Sequence, residues 1–514
     1  MTAATDRDDS RATLRRAIYG LLIAIALGNA AGRILAVNSV DFVRLEKNVI
    51  DRTVADKKKA LEADGLTGDA LTAALAEYAA VVQDKRRMQR PFLSANDRSR
   101  WCTVRALVEH GTYAIDEVIQ EPTWDTIDMV KHDEQGRAAY PADQGKLYSS
   151  KPPLFSTMMA GEYWLIHKLT GKTLGTHPYE IGRFMVITIN GLAFATMLVC
   201  LACAAERFGT TDFGRIFMVA SAAFGTLLTT FTVVINNHLI AAASAICCLA
   251  ACFPIWYDER REWWRFALVG LFAAFTAANE LPAAAFLGLL GLAFLIRWPR
   301  ETLVAATPAA LLVAVAYFGT NYAAHGTLII PYGQRAADNN WYDYEYTREG
   351  RVRESYWSQR ESRSKIDQGE DDPKIYALNA LVGHHGIFSL TPIWLLTIPG
   401  LVLLAREDYG GKKWLVAFIA ALSIICIAFF LSLPLKDRNY GGSTSGFRWV
   451  FWLAPLWLIG LLPAADWCAD ARWRRAMAGT LLALSAISVS YPTWNPWTHP
   501  WLMNFFAYLG WTEM

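Results

Sequence analysis

Asp97 is the first residue in this chain whose position suggests chemistry. It lies in 96–101 (NDRSRW), at the start of a short amphipathic run that ends at Gly111. A carboxylate in the first turn of a helix is favoured by the helix dipole and stays ionised. The other interpretation is structural, since Asn96 or Asp97 can cap the helix with a side-chain oxygen. The position of these residues in the sequence, taken alone, favours the structural role as a helix cap.

Lys151 is the second candidate, and it lies in 148–154 (YSSKPPL). The two prolines that follow it fix an extended entry into the apolar stretch 154–169 and forbid helix before them. The ammonium group of Lys151 is therefore expected at the boundary between membrane and water. There it could meet a lipid phosphate, or it could serve as a generic interface anchor with its charged end in water.

Arg438 and Arg448 flank a third motif, the Gly-rich segment 441–446 (GGSTSG). Glycine and serine let backbone N–H groups approach an oxyanion, and an arginine can bind a phosphate with two parallel hydrogen bonds. The segment lacks the Walker lysine, so a nucleotide-binding P-loop is not supported. Arg448 directly precedes an apolar run, at a depth that suits a phosphate anchored by a lipid tail.

Three further polar residues border apolar stretches: His238, Glu280 and His385. Glu280 is energetically unfavourable there unless it faces a polar cavity, and the alternative is a re-entrant break between two half-buried helices. His385 follows His384, and the pair could bind a metal ion or an anion. Adjacent residues on a helix point about 100° apart, so joint ligation of one ion is poorly supported.

The elements that must position these residues are membrane helices. Of the 514 residues, 54% are hydrophobic and only 19% are charged, and the formal net charge is +2. This balance excludes a nucleic-acid binder with a bulk basic surface and a disordered polyampholyte. Apolar stretches of about 20 residues between short charged loops predict an all-α polytopic membrane protein with about eleven transmembrane helices. The predicted spans are 17–36, 181–204, 215–235, 239–256, 264–279, 281–296, 302–320, 387–405, 414–433, 449–465 and 475–491.

The positive-inside rule assigns the orientation of these spans. The Arg- and Lys-bearing connectors all fall on the cytoplasmic side with the N-terminus if 154–169 does not cross. That stretch contains Glu162 and Lys168, which a lipid-buried span tolerates badly, so we expect a juxtamembrane helix in the interface. All nine histidines then lie on the outer side, together with the polar motifs above.

The topology predicts an order of regions along the chain. Within the first outer region, 41–89 predicts a helical hairpin, and 95–170 is the juxtamembrane catalytic segment. The aromatic residues of 331–383 indicate a lid, an acceptor-recognition element or a poorly ordered polar loop. The regions are a cytoplasmic N-terminus (1–16), a first transmembrane helix (17–36), a large extracytoplasmic loop (37–180), a transmembrane bundle (181–320), a second extracytoplasmic loop (321–386), a second bundle (387–491) and an extracytoplasmic interfacial tail (492–514).

The motifs and their order resemble those of the GT-C superfamily of integral-membrane glycosyltransferases. Within it, the chain is most similar to the branch of the protein mannosyltransferases and the aminoarabinose–lipid A transferases. The resemblance covers roughly 95–460. The matching motifs are, in order, the acidic segment 96–101 after one span, the Lys-Pro-Pro-Leu motif 151–154, Arg183 at the start of the next span, 236–238 (NNH), 385–392 (HGIFSLTP) and 446–449 (GFRW).

The resemblance implies transfer of a sugar from a polyprenyl-phosphate donor to an extracytoplasmic acceptor hydroxyl, with inversion and with Asp97 as the catalytic base. It implies a bacterial inner-membrane protein that acts among membrane lipids, with no nucleic acid as partner. The sugar and the acceptor, whether lipid, glycan or protein, are left open. The family often has an Asp-Glu pair where this chain has Asp97-Arg98. No cofactor is specified, and participation of a divalent metal ion is therefore left open.

The same resemblance implies roles for the other motifs. The leaving phosphate needs cationic partners as charge grows on it. Lys151 and Arg448, and less directly Arg438, would supply them. The remaining candidates would line the cavity, and they are Tyr148, His238, Glu280 and His385.

A transporter or flippase of a lipid-linked or anionic solute is the competing interpretation. It accounts equally well for the spans and for Glu280. It does not explain why the polar residues cluster on one face, with none in the middle of the spans. A structural membrane protein with an outer helical domain would leave 148–154 and 441–446 without a role.

Overall fold

The computed structural model describes residues 2–36, 42–85, 92–336, 338–406, 412–492 and 495–512. Several predicted segments extend beyond these ranges. In the N-terminus, residue 1 lies outside the described residues. In the first loop they exclude 37–41 and 86–91, and with them both ends of the predicted hairpin. In the tail they exclude 493–494 and 513–514.

Helices make up most of the described chain. In the first half they are α1 (Thr2–Ala36), α2 (Phe42–Ala63), α3 (Gly68–Lys85), α4 (Ala95–Arg105), α5 (Asp116–Gln120), α6 (Pro153–Thr170), α7 (Pro178–Val186), α8 (Leu192–Phe208), α9 (Asp212–Phe224), α10 (Asn237–Asp258) and α11 (Trp263–Asn279). In the second half they are α12 (Ala284–Arg297), α13 (Pro299–Glu301), α14 (Thr307–His325), α15 (Lys365–Gln368), α16 (Pro373–Leu381), α17 (Ile387–Leu390), α18 (Thr397–Arg406), α19 (Lys413–Leu431), α20 (Ala454–Cys468), α21 (Arg472–Ser490) and α22 (Trp501–Tyr508).

Within the described ranges, six helical stretches are long and apolar enough to cross a membrane, which makes the chain a mostly helical membrane protein. A seventh candidate is the bent pair Asp212–Phe224 and Leu227–Val233, whose parts meet at 41°. The predicted count of eleven spans is not confirmed. The helix α6, which covers the stretch expected to stay out of the membrane, is not among the six. The six are Ser10–Ala36, Pro178–Phe208, Asn237–Asp258, Pro299–His325, Lys413–Leu431 and Arg448–Cys468.

Breaks in the backbone explain part of the difference in span count. The predicted span 387–405 consists of α17, a 3-10 turn that starts at Pro392, and α18. The predicted span 281–296 opens with the 3-10 turn Leu281–Ala283, after the chain leaves α11 at Glu280. Proline lacks the N–H that a helix interior requires and clashes with the preceding turn. An apolar stretch of sequence can therefore continue across a position at which the helix is interrupted, as at Pro392.

Small residues let some of these helices approach closely. A Cβ added at Gly270 of α11 would come within 2.0 Å of the Ala306 carbonyl oxygen. One added at Gly400 of α18 would come within 2.1 Å of the carbonyl oxygen of Gly460 in α20. In membranes such small-residue contacts allow backbones to pack at short distance, where dispersion forces and weak polar contacts hold the helices together.

The first polar segment contains a strand pair that the all-α prediction did not include. Strand β1 (Met129–His132) pairs antiparallel with β2 (Lys146–Ser149), with Met129 opposite Ser149. Four-residue strands are too short to show a period-two pattern in the sequence. The Ser99 hydroxyl of α4 lies 2.6 Å from the Ser149 hydroxyl and joins the helix to this sheet.

The second polar segment is folded against the first. It contains strands β3 (Arg335–Ala336) and β4 (Asn339–Asn340), and β5 (Glu345–Arg348) and β6 (Arg351–Glu354), each couple antiparallel. The Lys131 N–H donates to the Trp341 carbonyl at 2.9 Å, and Trp341 Nε1 donates to the Gly136 carbonyl at 3.0 Å. The described residues of 331–383 are therefore folded and packed against the first polar segment.

Gly270→Ala is expected to lower the thermal unfolding midpoint of the purified protein. The new methyl group overlaps the Ala306 carbonyl, and overpacking of this kind destabilises by about 1–3 kcal/mol. Differential scanning fluorimetry in detergent measures the shift. Gly288→Ala in α12 is the control, because a Cβ there has no neighbour within 4 Å. Equal midpoints for the two variants would contradict the close contact.

Candidate functional site

A cavity of about 890 Å³ lies between the two polar segments and the ends of the helices. α11 and α19 end at this cavity, whereas α10 and the 3-10 turn Arg448–Leu453 begin at it. Its volume is in the upper part of the range of about 300–1,000 Å³ that is typical of ligand pockets. Four of the eight candidates from the sequence line it, namely Lys151, His238, Glu280 and Arg448.

Five cationic side chains line the cavity, namely Arg100, Lys151, Arg335, Lys436 and Arg448, and Arg335 is paired with Asp437 at 2.6 Å. Arg448 Nε donates to the Gly441 carbonyl at 2.7 Å. A Cβ at Gly441, where φ is +96°, would come within 2.9 Å of Arg448 Nε, so the absence of a side chain there lets the arginine lie against the loop. The charges of Arg100, Lys151 and Arg448 together suit an anion with several oxygens, such as a phosphate.

One carboxylate connects the guanidinium groups of Arg100 and Arg448. Glu280 Oε1 accepts a hydrogen bond from Asn237 Nδ2 at 2.7 Å, and Asn237 Oδ1 accepts one from Arg100 Nη2 at 2.9 Å. Glu280 Oε1 is also hydrogen-bonded to His238 Nδ1, and His238 Nε2 lies 3.0 Å from Arg448 Nη1. Arg100 and Arg448 thus belong to one hydrogen-bonded chain along the cavity wall, which we call the Glu280 relay.

The donor chemistry of arginine fixes the tautomer of His238. A guanidinium group can only donate hydrogen bonds, so His238 Nε2 must accept from Arg448. His238 Nδ1 then carries the hydrogen and donates it to Glu280. A hydrogen bond on one ring nitrogen sets the role of the other. Glu280 therefore orients the Arg448 guanidinium through His238.

Asp128 is a further carboxylate in the cavity lining, and the sequence did not single it out. Its Oδ2 is 3.1 Å from Lys151 Nζ. Its carbonyl accepts from the Ser99 hydroxyl at 2.6 Å and from the Ser150 N–H at 3.0 Å, which holds it against α4 and the Lys-Pro-Pro motif. Asp128 is one of 47 acidic residues, and only the pairing of β1 with β2 brings it to Lys151.

Asp97 does not line the cavity. It is 2% exposed, and its Oδ1 accepts from Trp101 Nε1 at 3.0 Å and from the Ile235 N–H at 3.2 Å. The helix cap is neither Asn96 nor Asp97 but Ser94, whose hydroxyl accepts from the Asp97 N–H at 3.1 Å. Burial raises the pKa of Asp97 to about 7, against the opposing effect of nearby arginines, so the expected permanent ionisation is wrong.

Arg438 and His385 also lie away from the cavity. Arg438 donates to the carbonyls of Leu433 at 2.9 Å and Asp371 at 3.1 Å, and thereby holds the turn after α19 to the second polar segment. His385 is fully buried, with its ring stacked on Tyr440 at 4.8 Å. Burial lowers the pKa of His385, so the ring is neutral. Both residues support the loop that carries Arg448.

Tyr148 packs in an aromatic cluster outside the cavity lining. Its ring is stacked on His132 at 4.2 Å and meets His325 edge-on at 5.4 Å. Burial raises the pKa of Tyr148 to about 12, so the phenol is neutral at physiological pH. The cluster fills the interface between the two polar segments.

Aromatic residues of the second polar segment also line the cavity. We call Tyr342, Tyr356 and Trp357 the aromatic wall. Trp357 Nε1 donates to the Ile127 carbonyl at 2.9 Å, so its ring is fixed beside the segment that bears Asp128. The tyrosines and tryptophans of 331–383 indicated a functional element in the sequence. They did not predict which of these residues line the cavity.

An apolar edge completes the cavity. Leu154, Phe155, Leu281, Phe429 and Phe430 line it, and Leu281 and Phe429 are 52% and 46% exposed. Phe429 and Phe430 belong to the apolar helix α19, which is long enough to cross a membrane. A hydrocarbon chain could lie along this edge with its head group among the cations.

Metal-binding side chains do not cluster in the described ranges. No group of three or more His, Cys, Asp or Glu residues there is arranged to hold a metal ion.

No family model matches the chain, and no curated protein sequence matches it. Among solved structures, the chain is similar to the apo form of the Archaeoglobus fulgidus oligosaccharyltransferase, with a TM-score of 0.39 and 11% sequence identity. The match covers 82% of this chain and 54% of that one, so the chain spans about half the length of that protein. A TM-score this low does not establish a shared fold.

His238→Ala is expected to lower the unfolding midpoint more than His110→Ala does. The first variant removes a partner from both Glu280 and Arg448, and an unsatisfied buried polar group costs about 1–3 kcal/mol. His110 is the control because its ion pair with Glu117 is exposed, and such pairs contribute little. In a double-mutant cycle with Glu280→Gln, additive effects would contradict the relay.

Asp97→Asn is expected to gain stability relative to the parent protein as the pH rises. In the folded parent protein the Asp97 pKa is raised from 3.8 to about 7, so folding binds a proton between these values and stability falls as pH increases through that window. Asparagine keeps an oxygen that can accept from Trp101 and has no such titration. Unfolding midpoints of both proteins at pH 5 and pH 8 test this, and a difference that does not change with pH would rule out the raised pKa.

Proposed function

We propose that this protein is a membrane glycosyltransferase that moves a sugar from a polyprenyl-phosphate donor to an acceptor hydroxyl. The observation that carries the proposal is one cavity whose lining combines Arg100, Lys151 and Arg448 with Asp128 and with an apolar edge. Cations suit the donor phosphate, the apolar edge suits the prenyl chain, and a carboxylate suits removal of the hydroxyl proton.

In the proposed reaction, the acceptor oxygen attacks the anomeric carbon from the side opposite the phosphate. A carbon–oxygen bond forms to the acceptor as the bond from the anomeric carbon to the phosphate oxygen breaks. The departing oxygen keeps the electron pair, and the acceptor proton passes to Asp128. This single displacement inverts the anomeric configuration and releases polyprenyl phosphate.

Arg100, Lys151 and Arg448 stabilise the charge that grows on the leaving phosphate. Interactions that strengthen as charge develops accelerate the reaction, provided that the groups are already in position. The Glu280 relay supports such an arrangement because it orients Arg448 and Arg100 before any substrate binds. His238 and Glu280 act in this scheme as positioning residues.

Asp128 takes the role of base in this proposal in place of Asp97. Asp128 borders the cavity, whereas Asp97 is buried behind it with its Oδ1 bound by two N–H groups. A general base must reach the proton that it removes, within hydrogen-bond distance or through one water. Geometry therefore favours Asp128.

The proposed location is the bacterial inner membrane, with the cavity on the extracytoplasmic side. The concentration of arginine and lysine in the connectors at the opposite ends of the helices supports this orientation. No nucleotide sugar is available there, which is consistent with a lipid-linked donor.

Transfer assays on variants test the proposal. The purified protein in nanodiscs is incubated with a radiolabelled polyprenyl-phosphate hexose and a cell-envelope extract, and label in the acceptor fraction is counted. Arg448→Ala and Asp128→Asn are each expected to reduce transfer by about 10²-fold or more, since phosphate stabilisation and base catalysis each contribute at that level. Lys151→Ala is expected to reduce transfer as well, because it removes another cation that stabilises the same phosphate.

Lys168→Ala is the matched control, because that lysine is exposed at the far end of α6. It should transfer sugar as the parent protein does. If Asp97→Asn abolishes transfer and Asp128→Asn does not, the base role returns to Asp97. Movement of the labelled lipid across vesicles without incorporation into any acceptor would instead identify a flippase.

A further inference from the structure

The aromatic wall is the part of the cavity lining that the second polar segment supplies. Tyr356 and Trp357 meet edge-to-face with their ring centroids 4.9 Å apart, so they present two differently oriented flat surfaces. Both are half-buried and neither lies in a membrane-capable helix. A lipid-linked donor bound at Arg100, Lys151 and Arg448 would leave the space beside the aromatic wall for the second substrate.

A carboxylate and an amide stand next to these rings. Asp367 Oδ2 accepts from the Tyr356 hydroxyl and from the Ser364 hydroxyl, both at 2.9 Å. Asp367 Oδ1 accepts from Asn439 Nδ2 at 3.2 Å, and both Asp367 and Asn439 line the cavity. An ionised carboxylate offers about four acceptor positions, and these bonds use three. The remaining position is suited to a hydroxyl group of a ligand.

The guanidinium groups beside the aromatic wall already have partners. Arg335 forms an ion pair with Asp437 at 2.6 Å and lies 4.1 Å above the Tyr342 ring centroid. Arg363 donates to the Trp357 carbonyl, and the Trp357 ring centroid lies 5.5 Å from Arg363 and 5.8 Å from Arg335. Because Arg335 is paired with Asp437 and Arg363 with the Trp357 carbonyl, the aromatic rings and oxygen acceptors beside them favour a neutral ligand with many hydroxyl groups.

We infer that the acceptor substrate is a carbohydrate, held with a sugar ring against Trp357 and with its hydroxyl groups hydrogen-bonded around Asp367. The C–H face of a sugar ring is apolar and packs on an aromatic face, while its rim of hydroxyls requires carboxylate or amide partners. The hydrogen bond from Trp357 to Ile127 brings such a ring next to Asp128. This inference rests on the proposed function and names its acceptor class.

Binding measured without turnover tests the inference. The full-length protein in nanodiscs is examined by saturation-transfer NMR with maltose, lactose and mannobiose, and with a serine-containing peptide of similar size. Saturation of the ring protons of at least one disaccharide is expected. Trp357→Ala should weaken that signal about tenfold, as expected for loss of a central aromatic contact. Trp357→Phe, which keeps a flat ring, should retain most of it.

Trp263→Ala is the matched control, since this tryptophan is 71% exposed at the start of α11 and does not line the cavity. It should bind the disaccharide as the parent protein does. Retained binding of polyprenyl phosphate by Trp357→Ala would show that the variant is folded. Saturation of the peptide alone, or a disaccharide signal that does not depend on Trp357, would overturn the carbohydrate inference.

The two proposals can fail separately. If polyprenyl phosphate binds and label is transferred to the peptide, the carbohydrate inference is wrong and the transferase proposal stands. If a disaccharide binds in a Trp357-dependent way but no label is transferred to any acceptor, the transferase proposal is wrong and the carbohydrate site stands.

Discussion

Electrostatic repulsion among Arg100, Lys151 and Arg448 is the constraint around which this cavity is organised. Like charges in a partly buried space repel more strongly than they do in water, because the surroundings screen them less. Glu280 lies between the two arginines through Asn237 and His238, and Asp128 pairs with Lys151. In all, four carboxylates and five cationic side chains line the cavity, which leaves a formal excess of one positive charge for an anionic ligand.

Each participant in this balance comes from a different element. Arg100 belongs to α4, Lys151 immediately precedes α6, Glu280 follows α11, and Arg448 opens a 3-10 turn before α20. The site therefore exists only when helices distant in sequence end at the same level and the two polar segments close over them. Close contacts such as that of Gly270 with Ala306 contribute by fixing how the helices pack, although they lie away from the chemistry.

The sequence revealed those site residues that disturb a local pattern. Lys151 precedes a proline pair, Glu280 interrupts an apolar stretch, and Arg448 follows a Gly-rich segment. Arg100 and Asp128 are ordinary polar residues in polar surroundings, and they acquire a role only through tertiary pairing. No periodicity or composition marks such residues.

For the fold as well, the sequence predicted features that follow a local pattern and missed those that depend on tertiary structure. Long apolar stretches correctly indicated a mostly helical membrane protein, but hydropathy does not report the break at Pro392 inside the predicted span 387–405, whereas the break at Glu280 lies between two predicted spans. The three strand pairs were missed because each strand has only two to four residues. Asp97 was given a role on the basis of motif order, which carries no information about which way its side chain turns.

The hydrogen bond from Trp357 to the Ile127 carbonyl, together with that from the Lys131 N–H to the Trp341 carbonyl, fastens the second polar segment on both sides of Asp128 in the chain. The two segments are thereby mechanically linked. A movement of the second segment would therefore act on the backbone on both sides of Asp128 at once.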